Sequence, residues 1–348
     1  MYTVKIPTAM ALIEHTAIDM NEPVMLWGGP GLGKSEAVNQ LAKKLNAVMV
    51  DIRLSQYDSV DLRGFPGVDA TTSLTCWHPP STLPFVGNNA FPDDQMIILF
   101  LDEMNSAVPA VLAPAYQIIN DKRCGEFPLK PNVRIIAAGN REGDRGVTTR
   151  MPMPLANRFT HVEVAADVDA WCAWAQDAGH PAIGIAFMQF RKELLYTFDP
   201  AKTDKAFATP RTWNKALKYY ASNMPEDVKM AAMAGAVGDG PSADFWTFVD
   251  TWHKIIPIAD ILKNPTKAPL PEEMGMRYAV AANISGHMEN DKNLKPLCAY
   301  LSRMDAEFQV LAWHMSTRRT KNALFTTPEF QAYAKTLAAV FKGSGSGW

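Results

Sequence analysis

The sequence contains few cysteines, and they do not form a recognisable metal or disulfide pattern. Four occur in 348 residues, at Cys76, Cys124, Cys172 and Cys298, and no pair has C-x-x-C spacing. The seven histidines also lack metal-ligand spacing. These absences argue against a disulfide-stapled secreted domain and a zinc module, and they predict free or buried thiols in a reducing compartment.

An excess of one charge sign is also missing, as is any long apolar run. The 34 Lys and Arg residues nearly balance 36 Asp and Glu residues, for a formal net charge of −2. This balance gives no global argument for nucleic-acid binding. No apolar run approaches the length of a membrane span, and the first residues lack the layout of a signal peptide. We therefore expect a cytoplasmic protein with no membrane span.

A glycine-rich segment lies between two regular patterns. The apolar run Val24-Met25-Leu26-Trp27 precedes it, and an amphipathic helical pattern that includes Val38 and Leu41 follows it. The segment matches G-x-x-x-x-G-K-[ST], the P-loop pattern, in the strand–loop–helix context that the pattern requires. The residues expected to contact the nucleotide are Gly28, Gly29, Pro30, Gly31, Leu32, Gly33, Lys34, Ser35 and Glu36.

The residue types of this loop suit a polyphosphate. Glycines allow the backbone to approach phosphates without Cβ clashes, and the helix N-terminus presents N–H groups and positive potential to them. Lys34 adds a charge at the β- and γ-phosphate oxygens, and the Ser35 hydroxyl is placed to bind Mg²⁺. The loop therefore predicts ATP and Mg²⁺ as ligands.

Two later apolar runs end in polar residues. Met96-Ile97-Ile98-Leu99-Phe100-Leu101 is typical of a buried parallel strand, and Asp102 and Glu103 follow it directly. We expect Asp102 to hold Mg²⁺ and Glu103 to orient or deprotonate the attacking water. The run Val133-Arg134-Ile135-Ile136-Ala137-Ala138 ends before Asn140, whose amide could bond the γ-phosphate or the water. Ligands gather at the carboxyl ends of such strands.

Residues 54–85 are a long excursion rich in Gly, Pro, Asp and Ser. Two interpretations remain open, an ordered surface excursion with hairpin turns and a functional projection that contacts a partner. The exposed-looking aromatic residues Tyr57, Phe65 and Trp77 support the second.

From residue 167 onward the patterns are helical. Thr209, Pro210 and Arg211 predict a helix start with an N-cap, a first-position proline and a first-turn arginine. The final Gly- and Ser-rich residues 343–348 resemble a flexible linker or a tag remnant.

These features together resemble the AAA+ ATPases, and within them the MoxR-like group of the dynein-related and chelatase clade. The resemblance covers about residues 6–220. Walker A matches at residues 28–35 and Walker B at residues 97–103, while Asn140 matches sensor 1 and Arg211 matches sensor 2.

Arg158, in Asn157-Arg158-Phe159, matches the family's arginine finger, and Arg150 is a rival finger or an auxiliary sensor. The resemblance also places residues 61–64 where the clade carries its helix-2 insert.

The resemblance implies an α/β fold, a P-loop AAA+ core with a parallel five-stranded sheet in the order 5-1-4-3-2 flanked by helices. An all-α lid and a helical C-terminal tail would follow. The expected domains are a nucleotide-binding core at 1–166, a lid at 167–265, a helical extension at 266–342 and the linker at 343–348. The family further implies a homo-oligomer, a hexameric ring with ATP at subunit boundaries, and a protein partner with a von Willebrand factor A domain.

The leading functional hypothesis is an ATP-hydrolysing motor that remodels protein partners. One alternative is a nucleic-acid motor similar to the McrB branch, against which the near-neutral charge and the lack of a DNA-binding module count. The other is a module that assembles on ATP with little turnover. Glu103 argues against that module, because a nucleotide sensor needs no general base.

Overall fold

The computed structural model describes residues 2–141, 143–144 and 151–343, with side chains to residue 336. It divides into two compact units, of which the first is Met1–Asp167 with Phe198–Thr203 and the second is Val168–Thr197 with Asp204–Trp348. Among the described residues, no helix is both long enough and apolar enough to cross a membrane.

The first unit combines strands and helices. Its strands are β1 (Thr3–Lys5), β2 (Val24–Trp27), β3 (Val48–Arg53), β4 (Phe65–Val68), β5 (Thr75–His78), β6 (Ile97–Asp102), β7 (Arg123–Cys124), β8 (Phe127–Pro128), β9 (Val133–Gly139) and β10 (Thr160–Ala165). Its α-helices are α1 (Ile6–Ile13), α2 (Lys34–Lys44), α3 (Ser59–Arg63), α4 (Pro109–Asp121) and α5 (Met153–Ala156). A π-helical segment, Glu14–Asp19, continues α1, and 3₁₀ turns span Leu54–Gln56 and Met104–Ser106.

The central sheet is parallel, with the strand order β1-β10-β2-β9-β6-β3. Without β1 this is the order 5-1-4-3-2, so the predicted α/β fold is confirmed. The predicted number of five strands is wrong by one, because Thr3–Lys5 adds an edge strand beside β10. Three residues are too short for a period-2 pattern to be recognised in the sequence.

Helices cover both faces of this sheet. Along β6 the side chains alternate, with Ile97, Leu99 and Leu101 packed in one apolar core and Ile98 and Phe100 in the other. All five are fully buried. The first core also includes residues of α3 and α4, and the second includes residues of α1 and α2. Burial on both faces explains why the strand is a continuous apolar run.

The excursion at residues 54–85 is ordered. It contains the helix α3, which has a capping box between Asp58 and Asp61, and the antiparallel hairpin of β4 and β5. Of the three aromatic residues expected to be exposed, only Phe65 is, at 62%. Tyr57 packs against the first apolar core, and Trp77 is half-buried with the Arg63 guanidinium 4.7 Å from its ring centroid.

The second unit contains helices and connecting loops, and no strand, among its described residues. Its α-helices are α6 (Val168–Asp177), α7 (Ala182–Phe190), α8 (Pro210–Ala221), α9 (Glu226–Val237), α10 (Asp239–His253), α11 (Ile258–Lys263), α12 (Met274–Ser285), α13 (Asp291–Leu301), α14 (Ala306–Arg319) and α15 (Pro328–Gly343). Helix α12 packs against α7, α10 and α14. The predicted boundary between a lid and a C-terminal extension stays a prediction.

The segment at residues 294–315, which has a helical pattern throughout, belongs to two helices, α13 and α14. Asp305 lies at the break, where its carboxylate accepts a hydrogen bond from Arg277 at 2.6 Å. Asp is unfavourable in a helix interior and favourable at the position before a helix start. The ion pair with Arg277 holds Asp305 at that position.

Candidate functional site

The glycine-rich loop joins the carboxyl end of β2 to the first turn of α2, as the sequence predicts. Gly33 is the N-cap residue of α2 and has a φ of 92°, a left-handed value that favours glycine. A Cβ on Gly28 would lie 2.9 Å from the carbonyl oxygen of Val164 in β10. The loop therefore packs against the sheet in a way that only glycine permits at position 28.

Lys34 begins α2, and its ammonium group lies back over the loop. Nζ donates to the carbonyl oxygens of Gly28 at 2.6 Å and Gly29 at 3.1 Å. It is also 3.4 Å from Oδ1 of Asn140, which follows β9. The structure thus brings together the lysine of the loop and the asparagine of a neighbouring strand, which are 106 positions apart in the sequence.

Ser35 and Asp102 are in direct contact. The Ser35 hydroxyl donates to Oδ2 of Asp102 at 2.6 Å. Asp102 is the last residue of β6 and is 9% exposed, so its carboxylate is held at the edge of the sheet. One hydroxyl and one carboxylate oxygen at hydrogen-bonding distance form a hard oxygen donor set, which suits Mg²⁺ shared with phosphate oxygens.

Glu103 follows with an unusual backbone conformation. Its φ is 53°, uncommon for a residue other than glycine, and its N–H donates to Oδ1 of Asp102 at 2.8 Å. This turn directs the side chain away from the line of β6. Its Oε2 accepts a hydrogen bond from the hydroxyl of Ser55, which follows β3. Ser55 could not be identified from the sequence, because a serine in a loop carries no motif.

A third carboxylate contributes to the electrostatics of this edge. Burial and, next, the negative charge of Asp102 raise the pKa of Asp51 above its ordinary value, while Arg53 opposes the shift. Asp51 is thus a partly buried carboxylate close enough to Asp102 for their negative charges to interact.

Asn105 holds the backbone of Asn140 by two hydrogen bonds. Its Nδ2 donates to the carbonyl oxygen of Asn140 at 2.7 Å, and its Oδ1 accepts from the N–H of Asn140 at 3.1 Å. Asn105 is 2% exposed, and a Cβ on Gly139 would lie 2.5 Å from its Oδ1. Asn105 therefore fixes the end of β9 to the turn after β6. Sequence analysis missed it as well.

Arg158 lies at the opposite edge of the sheet. It precedes Thr160, which pairs with Val24 at the start of β2, whereas the P-loop follows the end of β2. A strand rises about 3.3 Å per residue, so Val24 and Trp27 are about 10 Å apart along the sheet. The Arg158 side chain is exposed, and among the described residues it has no side-chain partner. The structure does not bring it to the loop of its own chain.

The other two arginines are placed as follows. Arg211 is in the first turn of α8 in the second unit and is exposed. Thr209 caps this helix as predicted, since its Oγ1 accepts from the N–H of Thr212 at 3.1 Å. Arg150, the rival finger, lies outside the described residues.

Comparison with solved structures gives matches of low similarity. An Hsp104 structure with ATPγS and FITC-casein is 16% identical, with a TM-score of 0.37 over 69% of this chain and 43% of that chain. The chain thus spans less than half of the Hsp104 chain. A Thermotoga maritima RuvB structure, named as a Holliday junction branch migration motor, is 15% identical, with a TM-score of 0.37 over 95% of this chain and 93% of that chain. Similarities of this size assign no function.

A family model matches a defined part of the chain. The AAA domain of the dynein-related subfamily aligns with residues 23–159. This range begins one residue before β2 and ends just before β10, so it includes the P-loop, Asp102, Glu103, Asn140 and Arg158. Residues 23–159 of this chain are therefore similar to the AAA domain of the dynein-related subfamily.

Proposed function

We propose that the protein is a Mg²⁺-dependent ATPase that converts ATP and water to ADP and phosphate. The observation that supports this most strongly is the cluster at the carboxyl edge of the sheet. Ser35 lies 2.6 Å from Asp102, and Lys34 lies 3.4 Å from Asn140. These side chains come from the loop and from two strands. A P-loop cation, an acidic metal ligand and a polar side chain thus surround one point.

Each residue has a proposed role in the reaction. Ser35 and Asp102 would hold Mg²⁺, which when bound would supply positive charge against the phosphates. Lys34 would pair with the β- and γ-phosphates, and Arg211 would act as sensor 2. Glu103 would orient the attacking water and accept its proton, while Asn140 would bond the water or the γ-phosphate.

Steady-state phosphate release tests this proposal. We expect release from the purified protein with ATP and Mg²⁺, and none above background with EDTA or in Lys34→Ala. Equal release by wild type and Lys34→Ala would contradict the assignment of activity to this site.

Asn105→Ala is expected to lower turnover without preventing folding of the sheet. The change leaves the partly buried N–H and carbonyl of Asn140 without their partner, which costs up to about 1–3 kcal/mol and releases the end of β9. A misplacement of about 1 Å can lower the rate by on the order of 100-fold. The measurement is kcat, with thermal unfolding as the check on stability. Asn293→Ala is a matched control, since Asn293 is distant in sequence and its Nδ2 donates to the carbonyl of His287 at 3.5 Å.

Ser55→Ala is expected to raise basal turnover. The Ser55 hydroxyl donates a hydrogen bond to Oε2 of Glu103. The carboxylate must break this bond before both of its oxygens can contact a water. A hydrogen bond to a charged group contributes about 1.5–3 kcal/mol, enough for about a tenfold change in rate. The measurement is phosphate release per active site. Ser55→Thr keeps the hydroxyl and should behave as wild type, and a fall in Ser55→Ala turnover would show that the bond supports catalysis.

We further propose a MoxR-like assembly, a homo-oligomeric ring of six subunits. Arg158 supports this, because an exposed arginine far from its own P-loop can reach the nucleotide of a neighbouring subunit. A guanidinium supplied in this way stabilises charge on the transferring phosphoryl group. We also propose that the protein works in the cytoplasm and remodels protein partners, with a von Willebrand factor A domain protein among them.

The hairpin of β4 and β5 is the proposed contact with that partner. Three apolar side chains on it are strongly exposed, namely Phe65 at 62%, Val68 at 73% and Leu74 at 68%. Val68 and Leu74 flank the turn of the hairpin, where the N–H of Asp69 donates to the carbonyl of Leu74 at 2.9 Å. Strongly exposed apolar side chains on a surface hairpin support an interaction site there.

Replacing Val68 and Leu74 together by Ser is expected to keep basal turnover and abolish stimulation by the partner. The change removes apolar contact area from the hairpin and touches none of the nucleotide-binding residues. Val228→Ser with Met230→Ser is the matched control, since these residues of α9 are 43% and 44% exposed. Partner stimulation of phosphate release is measured for both pairs, and equal stimulation of the hairpin variant and wild type would overturn the assignment.

A further inference from the structure

His161 joins two elements that the proposed reaction uses. The indole Nε1 of Trp27 donates to His161 Nδ1 at 2.8 Å, and the rings are nearly parallel with centroids 5.9 Å apart. The other ring nitrogen, Nε2, is 2.7 Å from the carbonyl oxygen of Ala156. Trp27 directly precedes the P-loop, and Ala156 is the last residue of α5, two positions before Arg158.

The partners determine the tautomer of His161. The indole nitrogen of Trp27 can only donate, so Nδ1 must be the acceptor, and the carbonyl of Ala156 can only accept, so Nε2 must carry the proton. Both ring nitrogens of a neutral imidazole are therefore used. An apolar side chain at this position would fill the space and make neither bond.

We propose that His161 is a positioning residue for Arg158. By connecting Trp27 to the carbonyl of Ala156, it sets the orientation of the segment that carries Arg158 relative to the strand that carries the P-loop. The inference rests on the proposed action of Arg158 on a neighbouring subunit.

The other contacts of the segment that carries Arg158 are compatible with a positioning role for His161. Leu155 and Phe159 anchor the segment in the apolar core, at 1% and 8% exposed. Apolar packing is not directional, so it fixes how deeply the segment is buried better than it fixes the rotation of the segment. The same carbonyl of Ala156 also accepts the N–H of Phe159 at 3.2 Å. Two directional bonds then link this segment to the β2 region, that of the Thr160 N–H to the carbonyl of Pro23 at 2.9 Å and that of His161, and of the two only the His161 bond reaches the Ala156 turn.

The test separates the subunit that supplies Arg158 from the subunit that hydrolyses ATP. Arg158→Ala subunits, which keep Lys34 and His161, provide the hydrolysing sites. Lys34→Ala subunits cannot use their own site and provide Arg158. The measured variant is the supplying subunit with both Lys34→Ala and His161→Phe, compared with the supplying subunit that carries Lys34→Ala alone. Phosphate release is normalised to co-assembly, measured by pull-down with differently tagged subunits.

We expect mixtures that contain the double variant to have a kcat at least about tenfold lower than mixtures that contain Lys34→Ala alone. The reason is that a small misplacement of a catalytic group has a large effect on rate. The KM for ATP should not change, since the hydrolysing subunit is the same in both mixtures. His161→Gln, which keeps a donor and an acceptor, should recover part of the loss, and Trp27→Phe in the supplying subunit should lower kcat. If His161→Phe fails to fold, His161→Gln and Trp27→Phe test the inference in its place.

Equal restoration by supplying subunits with and without the His161 or Trp27 change would overturn the inference. A rise in KM with unchanged kcat would overturn it too. No restoration by Lys34→Ala alone, despite co-assembly, would instead refute the proposed role of Arg158. The failure of the inference and the failure of the proposed function are thus distinguishable.

Discussion

Glu103→Gln is expected to lower ATP hydrolysis by about 10²–10⁴-fold while ATP still binds. The amide has the shape of the carboxylate and can still accept the hydrogen bond of Ser55, but it cannot take a proton from water. The Ser35–Asp102 pair that would hold Mg²⁺ is untouched. The protein should therefore accumulate in an ATP-bound assembly, which is measured by nucleotide retention and by size-exclusion chromatography.

Lys34→Ala is the contrasting variant. It removes the cation of the P-loop, so binding and hydrolysis should both be lost. If Glu103→Gln hydrolyses ATP at the wild-type rate, Glu103 is not the base. If wild type itself shows no turnover while assembling on ATP, the alternative of an ATP-gated assembly module is correct.

Arg158→Ala is expected to lose about 10³–10⁵-fold in turnover and to keep the affinity for ATP. Charge develops on the phosphoryl oxygens in the transition state, and a guanidinium stabilises it, whereas the ground state binds chiefly through the P-loop. Stability should change little, because the side chain is exposed and the backbone N–H, which donates to the carbonyl of Leu155 at 3.0 Å, is retained in the variant.

Arg158→Lys distinguishes geometry from charge. Lysine keeps the charge but lacks the planar fork that matches phosphoryl oxygens, so it should restore little of the turnover. Near-wild-type turnover in Arg158→Ala would exclude it as the finger. Arg150→Ala is then the first variant to measure.

The sheet and the nucleotide edge could be predicted because their signals are local. A buried strand such as β6 is a continuous apolar run, and the residues after it fall at a defined edge of a parallel sheet. The run before Asp102 and the motif before Ser35 therefore predict that both residues lie at this edge, where they are 2.6 Å apart.

The residues that contact and orient the functional residues could not be predicted in the same way. Ser55, Asn105 and His161 act through contacts with partners 48, 35 and 134 positions away in the sequence. Each is a common loop or strand residue with no spacing that marks it. Their importance arises only when the parallel sheet brings their neighbours together, so the fold must be known first.

Phosphate release from mixtures of Arg158→Ala and Lys34→Ala subunits tests the central claim most directly, because it asks whether two neighbouring subunits complete one site. Each variant alone should be nearly inactive. With random assembly into a closed ring, an equal mixture should recover about a quarter of the wild-type turnover, since about a quarter of the junctions pair an intact P-loop with an intact Arg158. Phosphate release should be lower when either variant is in excess. No recovery at any ratio, in subunits shown to co-assemble, would contradict the account.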